Sequence, residues 1–187
     1  RRVGQNIVPV CEDCPPGQYA TSDNIYCDTC SPGYICLGKS TTPTPTSIEE
    51  ERGYACSAGY YCQAGSYEET PCPAGTYSDT SIAGSQNTCT PCPAGTYSDL
   101  AASTSCKTCP SGATSEEGAK SCFCEGQNRL YLKREEICIC QQGYEYIDRD
   151  GNDRSDSNGS GDCTEKIYER CEPGQVRDEF GNCKSDN

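Results

Sequence analysis

Nineteen of the 187 residues are cysteine, and their spacing admits two chemistries. Cys11-x-x-Cys14 followed by Cys27-x-x-Cys30 has the spacing of a zinc ribbon, and Cys89/Cys92 with Cys106/Cys109 nearly repeats it. The same thiols, oxidised, form disulfides, the signature of small secreted scaffolds. Here the zinc-spaced pairs are interleaved with Cys-Pro-x-Gly loops and with further cysteines at irregular distances, which a metal does not require. Disulfides are the expected state.

Other chemistry is sparse. Asp148, Asp150, Asn152 and Asp156 stand at positions 1, 3, 5 and 9 of a calcium loop, but Asp153 replaces the turn glycine and Gly159 the closing glutamate. A solvated acidic loop accounts for the same residues; calcium is the one cofactor the sequence suggests. Asn158-Gly-Ser160 is an N-glycosylation sequon. Thr41, Thr42, Thr44 and Thr46 lie in a Ser/Thr/Pro tract that resembles an O-glycosylated linker, and a plain stiff spacer reads equally well. The chain has no histidine, which removes Ser-His-Asp and Cys-His catalysis. Glu49 to Glu51, Glu116/Glu117 and Glu135/Glu136 have no apolar wall to raise a carboxyl pKa. No enzyme is expected.

The elements that position these residues must be small. Leu, Ile, Val and Phe together number only nineteen, and there is no Trp or Met, so an ordinary oily core is out of reach. Crosslinks must act instead by restricting the unfolded chain, at ~3 kcal/mol for a loop of ~15 residues. The segment Cys72-Pro-Ala-Gly-Thr-Tyr-Ser-Asp79 returns unchanged as Cys92 to Asp99, with looser copies starting at Cys14, Cys30, Cys56 and Cys109. Proline fixes φ and glycine accepts positive φ, so each copy turns tightly just after its crosslink. Tyr19, Tyr77 and Tyr97 occupy equivalent places and are expected to lie over the adjacent disulfide as a local core. Gly, Pro and Ser recur too often for long helices; only Cys163 to Arg170 admits a short one.

Cys-Pro-Ala-Gly-Thr-Tyr-Ser followed by Cys-x-x-Cys resembles the ephrin-receptor-type cysteine-rich repeat, and is similar to the loops of tumour-necrosis-factor receptor modules, over residues 14–122. Downstream, Cys138-Ile-Cys140-Gln-Gln-Gly-Tyr144 followed by Cys163 resembles the ending of an epidermal-growth-factor-like module, residues 124–163, with a long acidic insertion. These resemblances imply extended extracellular architecture. Joining each loop-opening cysteine to the next closing one gives 14–27, 30–36, 56–62, 72–89, 92–106, 109–122, 124–138, 140–163 and 171–183, a pairing that sequence alone does not establish. The Cys140–Cys163 bond agrees with the growth-factor-like ending. Cys11 is left for an intermolecular bond, beside an Ile7–Val10 edge strand.

The expected fold is thus small and disulfide-rich, an elongated array of short β-hairpin and loop modules with little helix and no large core. Its segments are a lead over 1–10, a cysteine-rich block over 11–36, a Ser/Thr/Pro linker over 37–55, repeats over 56–122, the growth-factor-like module over 123–163, and a small loop over 164–187. A net charge of −13 argues against nucleic acid and anionic membrane as partners. No run of eighteen apolar residues is present, so direct membrane insertion is not expected. The chain reads as a mature secreted protein or a segment of a longer one. The expected role is a non-enzymatic extracellular subunit or segment of a surface filament, coat or appendage, carrying glycans and contacting itself or other extracellular proteins. A receptor ectodomain and a calcium-dependent adhesion module are the alternatives.

Overall fold

The computed structural model describes residues 13–22, 26–155, 159, 161–166, 173, 175–178 and 182–185. The chain divides into two compact units, residues 1–109 with 114–122, and residues 110–113 with 123–187. Both are built from two-stranded sheets of consecutive strands, with one 3-10 turn at Gln86–Thr88 and no α-helix among the described residues. In the first unit β1 (Gln18–Ala20) pairs with β2 (Cys27–Thr29), and β3 (Tyr34–Cys36) with β4 (Gly53–Ala55). Next come β5 (Tyr60–Tyr61) with β6 (Thr70–Pro71), β7 (Thr76–Tyr77) with β8 (Thr90–Pro91), and β9 (Thr96–Tyr97) with β10 (Lys107–Thr108). After β11 (Ala113–Thr114) and β12 (Phe123–Cys124), the second unit pairs β13 (Arg129–Leu132) with β14 (Ile137–Cys140). It ends with β15 (Tyr144–Glu145) on β16 (Thr164–Glu165), and β17 (Gln175–Arg177) on β18 (Cys183–Ser185). This is a small disulfide-rich array of short β modules.

Disulfides join Cys14–Cys27, Cys30–Cys36, Cys56–Cys62, Cys72–Cys89, Cys92–Cys106, Cys109–Cys122, Cys124–Cys138 and Cys140–Cys163. Each follows the opening-to-closing rule. Cys183 is also disulfide-bonded; its expected partner Cys171, like Cys11 and Ile7–Val10, lies outside the described residues. The zinc-spaced thiols Cys14, Cys27, Cys30, Cys89, Cys92, Cys106 and Cys109 are therefore spent as bridges.

The six modules from Cys14 to Cys122 begin with the same turn. The Thr76 N–H donates to Pro73 O and the Thr96 N–H to Pro93 O, at 3.1 and 3.0 Å. Gly75 sits at φ +90° inside that turn, a conformation an L side chain resists. The turn glycine then ties its module to the next. Its N–H reaches one residue of the following module (Gly59 to Ser78 O, Gly75 to Ser98 O, Gly95 to Ser115 O). Its carbonyl receives the N–H of the cysteine that opens that module (Cys72, Cys92 and Cys109 respectively).

A second set of contacts reaches further. Lys39, Gly65, Ile82, Ala102 and Gly118 all have positive φ, and each donates its N–H to the opening cysteine of the preceding module, Cys14, Cys30, Cys56, Cys72 and Cys92 in turn. The carbonyls of Gly65, Ile82, Ala102 and Gly118 also press on the turn glycine one module earlier again. A Cβ on Gly75, for instance, would lie 2.3 Å from Gly118 O. Each module of the first unit is thus fixed by its neighbour and by its next neighbour.

Two expectations need correction. The Ser/Thr/Pro linker expected over 37–55 is instead part of the β3–β4 hairpin, with 37–52 its long loop and 53–55 its second strand. Ser40 is fully buried and gives its hydroxyl to Arg52 O, and the Ser31 N–H bonds Pro43 O. Pro45 is buried against Gly53, where a Cβ would lie 2.4 Å from the proline ring, so the tract's stiffness serves packing. The short helix allowed over Cys163 to Arg170 does not form at its start. The Cys140–Cys163 bridge brings Thr164–Glu165 beside Tyr144–Glu145, where it pairs as a strand; residues 167–170 lie outside the described residues.

Candidate functional site

The inter-module seam of the first unit gathers the most buried polar side chains. Ser78, Ser98 and Ser115 are buried at equivalent points of three modules. Cys36 and Cys62 take that same place in the two modules with short bridges, and Ala20 takes it in the first. In five of the six the residue's N–H donates to the following module (Ala20 to Ser40 O, Cys36 to Ser66 O, Cys62 to Ala83 O, Ser78 to Ser103 O, Ser98 to Ala119 O). The buried serine hydroxyls find partners in their own module or, for Ser115, in the preceding one. Ser98 Oγ bonds Leu100 O at 2.9 Å and Ser103 Oγ at 2.6 Å, and Ser115 Oγ donates to Thr96 O at 2.7 Å. Satisfied in this way, they cost little to bury.

Tyrosine plays a smaller part than expected. The fully buried set is dominated by half-cystines, while Tyr19 and Tyr77 are half-buried and Tyr97 is 4% exposed. The two identical motifs differ through their partner strand. Tyr77 faces Thr90, but Tyr97 faces Lys107, whose ammonium lies 5.8 Å from the ring centre and 3.1 Å from Asp99. One aliphatic cluster exists among the described residues, Ile35 against the Cys56–Cys62 bridge, flanked by Leu37, Tyr54 and Tyr60. Burial there and the nearby Glu69 raise the Tyr54 phenol above its ordinary value.

In the second unit the organising residue is Arg129, which the sequence reading passed over. It is buried on the face of the β13–β14 hairpin that carries Cys138 and Cys140. Its Nε donates to Gly161 O at 2.6 Å, and its guanidinium stacks 5.1 Å from the centre of the Tyr146 ring. The Gln127 N–H to Asp162 Oδ1 and Asn128 Nδ2 to Cys163 O complete a clamp on the returning end of the acidic loop. A planar fork can stack and donate at once, which a lysine cannot.

The loop itself is held by its own side chains. Asp148 accepts from the Asn152 and Asp150 N–H groups and pairs with Arg154 at 3.1 Å. The Asn152 N–H foremost, with Arg154, holds the Asp148 carboxyl below its ordinary value. Ser155 does the same to Asp153 through its hydroxyl and N–H. Of the calcium-spaced set, Asp148 and Asn152 are brought together, while Asp150 contributes an exposed carboxylate and a backbone bond. Asp156 and the sequon residue Asn158 lie outside the described residues. Among the described residues the only convergence of three potential metal ligands is Cys56, Cys62 and Glu69, and its two sulfurs are already bonded to each other. Of the threonines read as glycan acceptors, Thr41, Thr44 and Thr46 are exposed and Thr42 is half-buried. The Thr46 N–H foremost, and then its hydroxyl, donate to Glu51, which lowers that carboxyl's pKa. No described helix is long and apolar enough to cross a membrane.

No curated protein matches the chain. Residues 80–122 match the family model described as "Tyrosine-protein kinase ephrin type A/B receptor-like", which covers the stretch from the end of the Cys72–Cys89 module through Cys122. The chain therefore carries an ephrin-receptor-like cysteine-rich segment over those residues, within a longer run of disulfide-closed modules.

Proposed function

We propose that this is a non-enzymatic extracellular protein that builds or joins a surface filament, coat or appendage. The observation that carries the reading is the seam. Turn glycines, opening cysteines and positive-φ residues of successive modules are spent on gripping one another, from Cys14 to Gly118. A chain whose repeats are committed to neighbour contacts is suited to presenting a repeated surface, as quasi-one-dimensional arrays do, and head-to-tail contacts extend such arrays between molecules. The eight bridges among the described residues fit secretion into an oxidising compartment. Residues 124–163 fit an epidermal-growth-factor-like ending, supported by Cys124–Cys138, Cys140–Cys163 and the β15–β16 pair.

Sedimentation velocity and electron microscopy of the oxidised protein over rising concentration test the proposal. Concentration-dependent oligomers or linear assemblies are expected, and a monomer that persists to the highest concentration overturns it. A receptor ectodomain is the second reading, favoured by the match over residues 80–122. A strictly monomeric protein that binds an extracellular protein ligand one to one selects it.

A further inference from the structure

The β1–β2 hairpin and the start of the Ser/Thr/Pro tract enclose an open cleft of about 420 Å3. Tyr19, Tyr26, Thr21, Asp28, Thr41 and Thr42 line it. With Ser22, the lining combines two aromatic rings with four serine and threonine hydroxyls and a single carboxylate. We propose that this cleft binds a saccharide.

The chemistry favours a sugar over the other ligands a cleft of this size admits. The Ser22, Thr41, Thr42 and tyrosine hydroxyls both donate and accept, and Asp28 accepts only, which matches the mixed hydrogen-bonding of a polyol. A lysine or arginine side chain would call for a cluster of acceptors, and the lining supplies one carboxylate. Tyrosine rings offer rigid, amphipathic area for the C–H faces of a pyranose at small entropic cost. Tyr26 is 57% exposed at the rim, an outlay of apolar surface that packing within the module does not require. The backbone that carries it is held in place. Both the Thr21 N–H (3.2 Å) and the Thr21 hydroxyl (3.0 Å) donate to Tyr26 O. The opposite wall is fixed as well, since the Ala20 N–H bonds Ser40 O and Tyr19 forms a parallel bridge with Ser40. Asp28 commits one oxygen to the Thr29 N–H and keeps the other for a ligand. Aromatic and polar groups held on such walls are what small-ligand sites consist of.

The sugar has two sources of the same chemistry: a glycan borne by another molecule, or an O-linked sugar on Thr41 or Thr42 themselves. The experiment uses the full chain made in a glycosylating and in a non-glycosylating oxidising host. Saturation-transfer NMR is run on each with glucose, galactose, mannose and N-acetylglucosamine, and separately with tetralysine. Transfer from at least one sugar to the unglycosylated protein is expected, lost or weakened roughly tenfold in Tyr26→Ala, as for a truncated aromatic anchor. Asp28→Asn should weaken it without altering the bridges, and Tyr67→Ala, an equally exposed tyrosine outside the cleft, should leave it unchanged. Binding in both preparations identifies an external glycan. Binding in the unglycosylated protein alone identifies the chain's own sugar as the occupant. No transfer from any sugar, transfer indifferent to Tyr26→Ala, or binding of tetralysine in place of sugars overturns the proposal.

Discussion

Ser98 shows what the seam demands of one residue. Its place is taken by alanine, half-cystine or serine in different modules, so the shared requirement is small volume. Ser98→Ala should therefore cost only about 1 kcal/mol, the value of a hydrogen bond whose partners keep other contacts. Leu100 O retains Ser103 Oγ in that variant. Ser98→Leu should cost clearly more, through overpacking of ~1–3 kcal/mol and loss of the hydroxyl. Chemical denaturation with the disulfides intact measures both. The acidic loop offers a second test. Asp148, held by the Asn152 N–H and Arg154, has a folded pKa below its unfolded one, so the stability it contributes is present above the ordinary value of 3.8 and is lost as pH falls through the folded pKa. A carbon-detected NMR titration should place the Asp148 carboxyl midpoint below 3.8, and Arg154→Ala should move it upward.

Within one module, the turn glycine and the positive-φ residue that covers it form a pair. Gly75→Ala places a Cβ at 2.3 Å from Gly118 O on a backbone at φ +90°. Left-handed backbone alone costs an L residue ~1–2 kcal/mol, and the contact adds to that. Gly143→Ala, at φ +88° with nothing within 4 Å, should show the backbone cost alone. Conversely Ala102, at φ +59° where the equivalent residues 65 and 118 are glycine, should tolerate Ala102→Gly with a gain of up to about 1 kcal/mol after the entropy of the freer unfolded chain. Thermal melting of the oxidised variants gives the order. The bridges and turns were legible in the sequence because sulfur and the Cys-Pro-x-Gly spacing carry their own geometry. The seam was not. Its positions are filled by Lys39, Gly65, Ile82, Ala102 and Gly118 on one side and by Ala20, Cys36, Ser78 and their equivalents on the other. What these share is backbone shape and room, not chemistry. The packing of the tract over 40–47 is hidden for a related reason: threonine and proline report an extended chain, but only tertiary contacts reveal that Ser40 and Pro45 are buried while Thr41, Thr44 and Thr46 stay exposed.

For the molecule as a whole, cystine replaces the interior that nineteen aliphatic and phenylalanine residues cannot supply. Removing Cys72–Cys89 as a double Cys→Ser variant should cost about 3 kcal/mol, given a sequence separation of 17. The disturbance should extend beyond that loop, because Gly59 and Cys92 both bond to the same module. Limited proteolysis should then cut in the modules on either side as well as within it. A protein that resisted proteolysis after full reduction would contradict this account. The two-step reach of the contacts also bears on how such chains grow. Duplicating a single stretch of about twenty residues inserts a copy whose glycine, small residue and left-handed residue meet ready counterparts before and behind it. Lengthening by tandem copying then needs no new sequence to be selected, whereas a break leaves its last two repeats without the partners that follow them, so a stable fragment must be cut two repeats beyond the one it is meant to preserve.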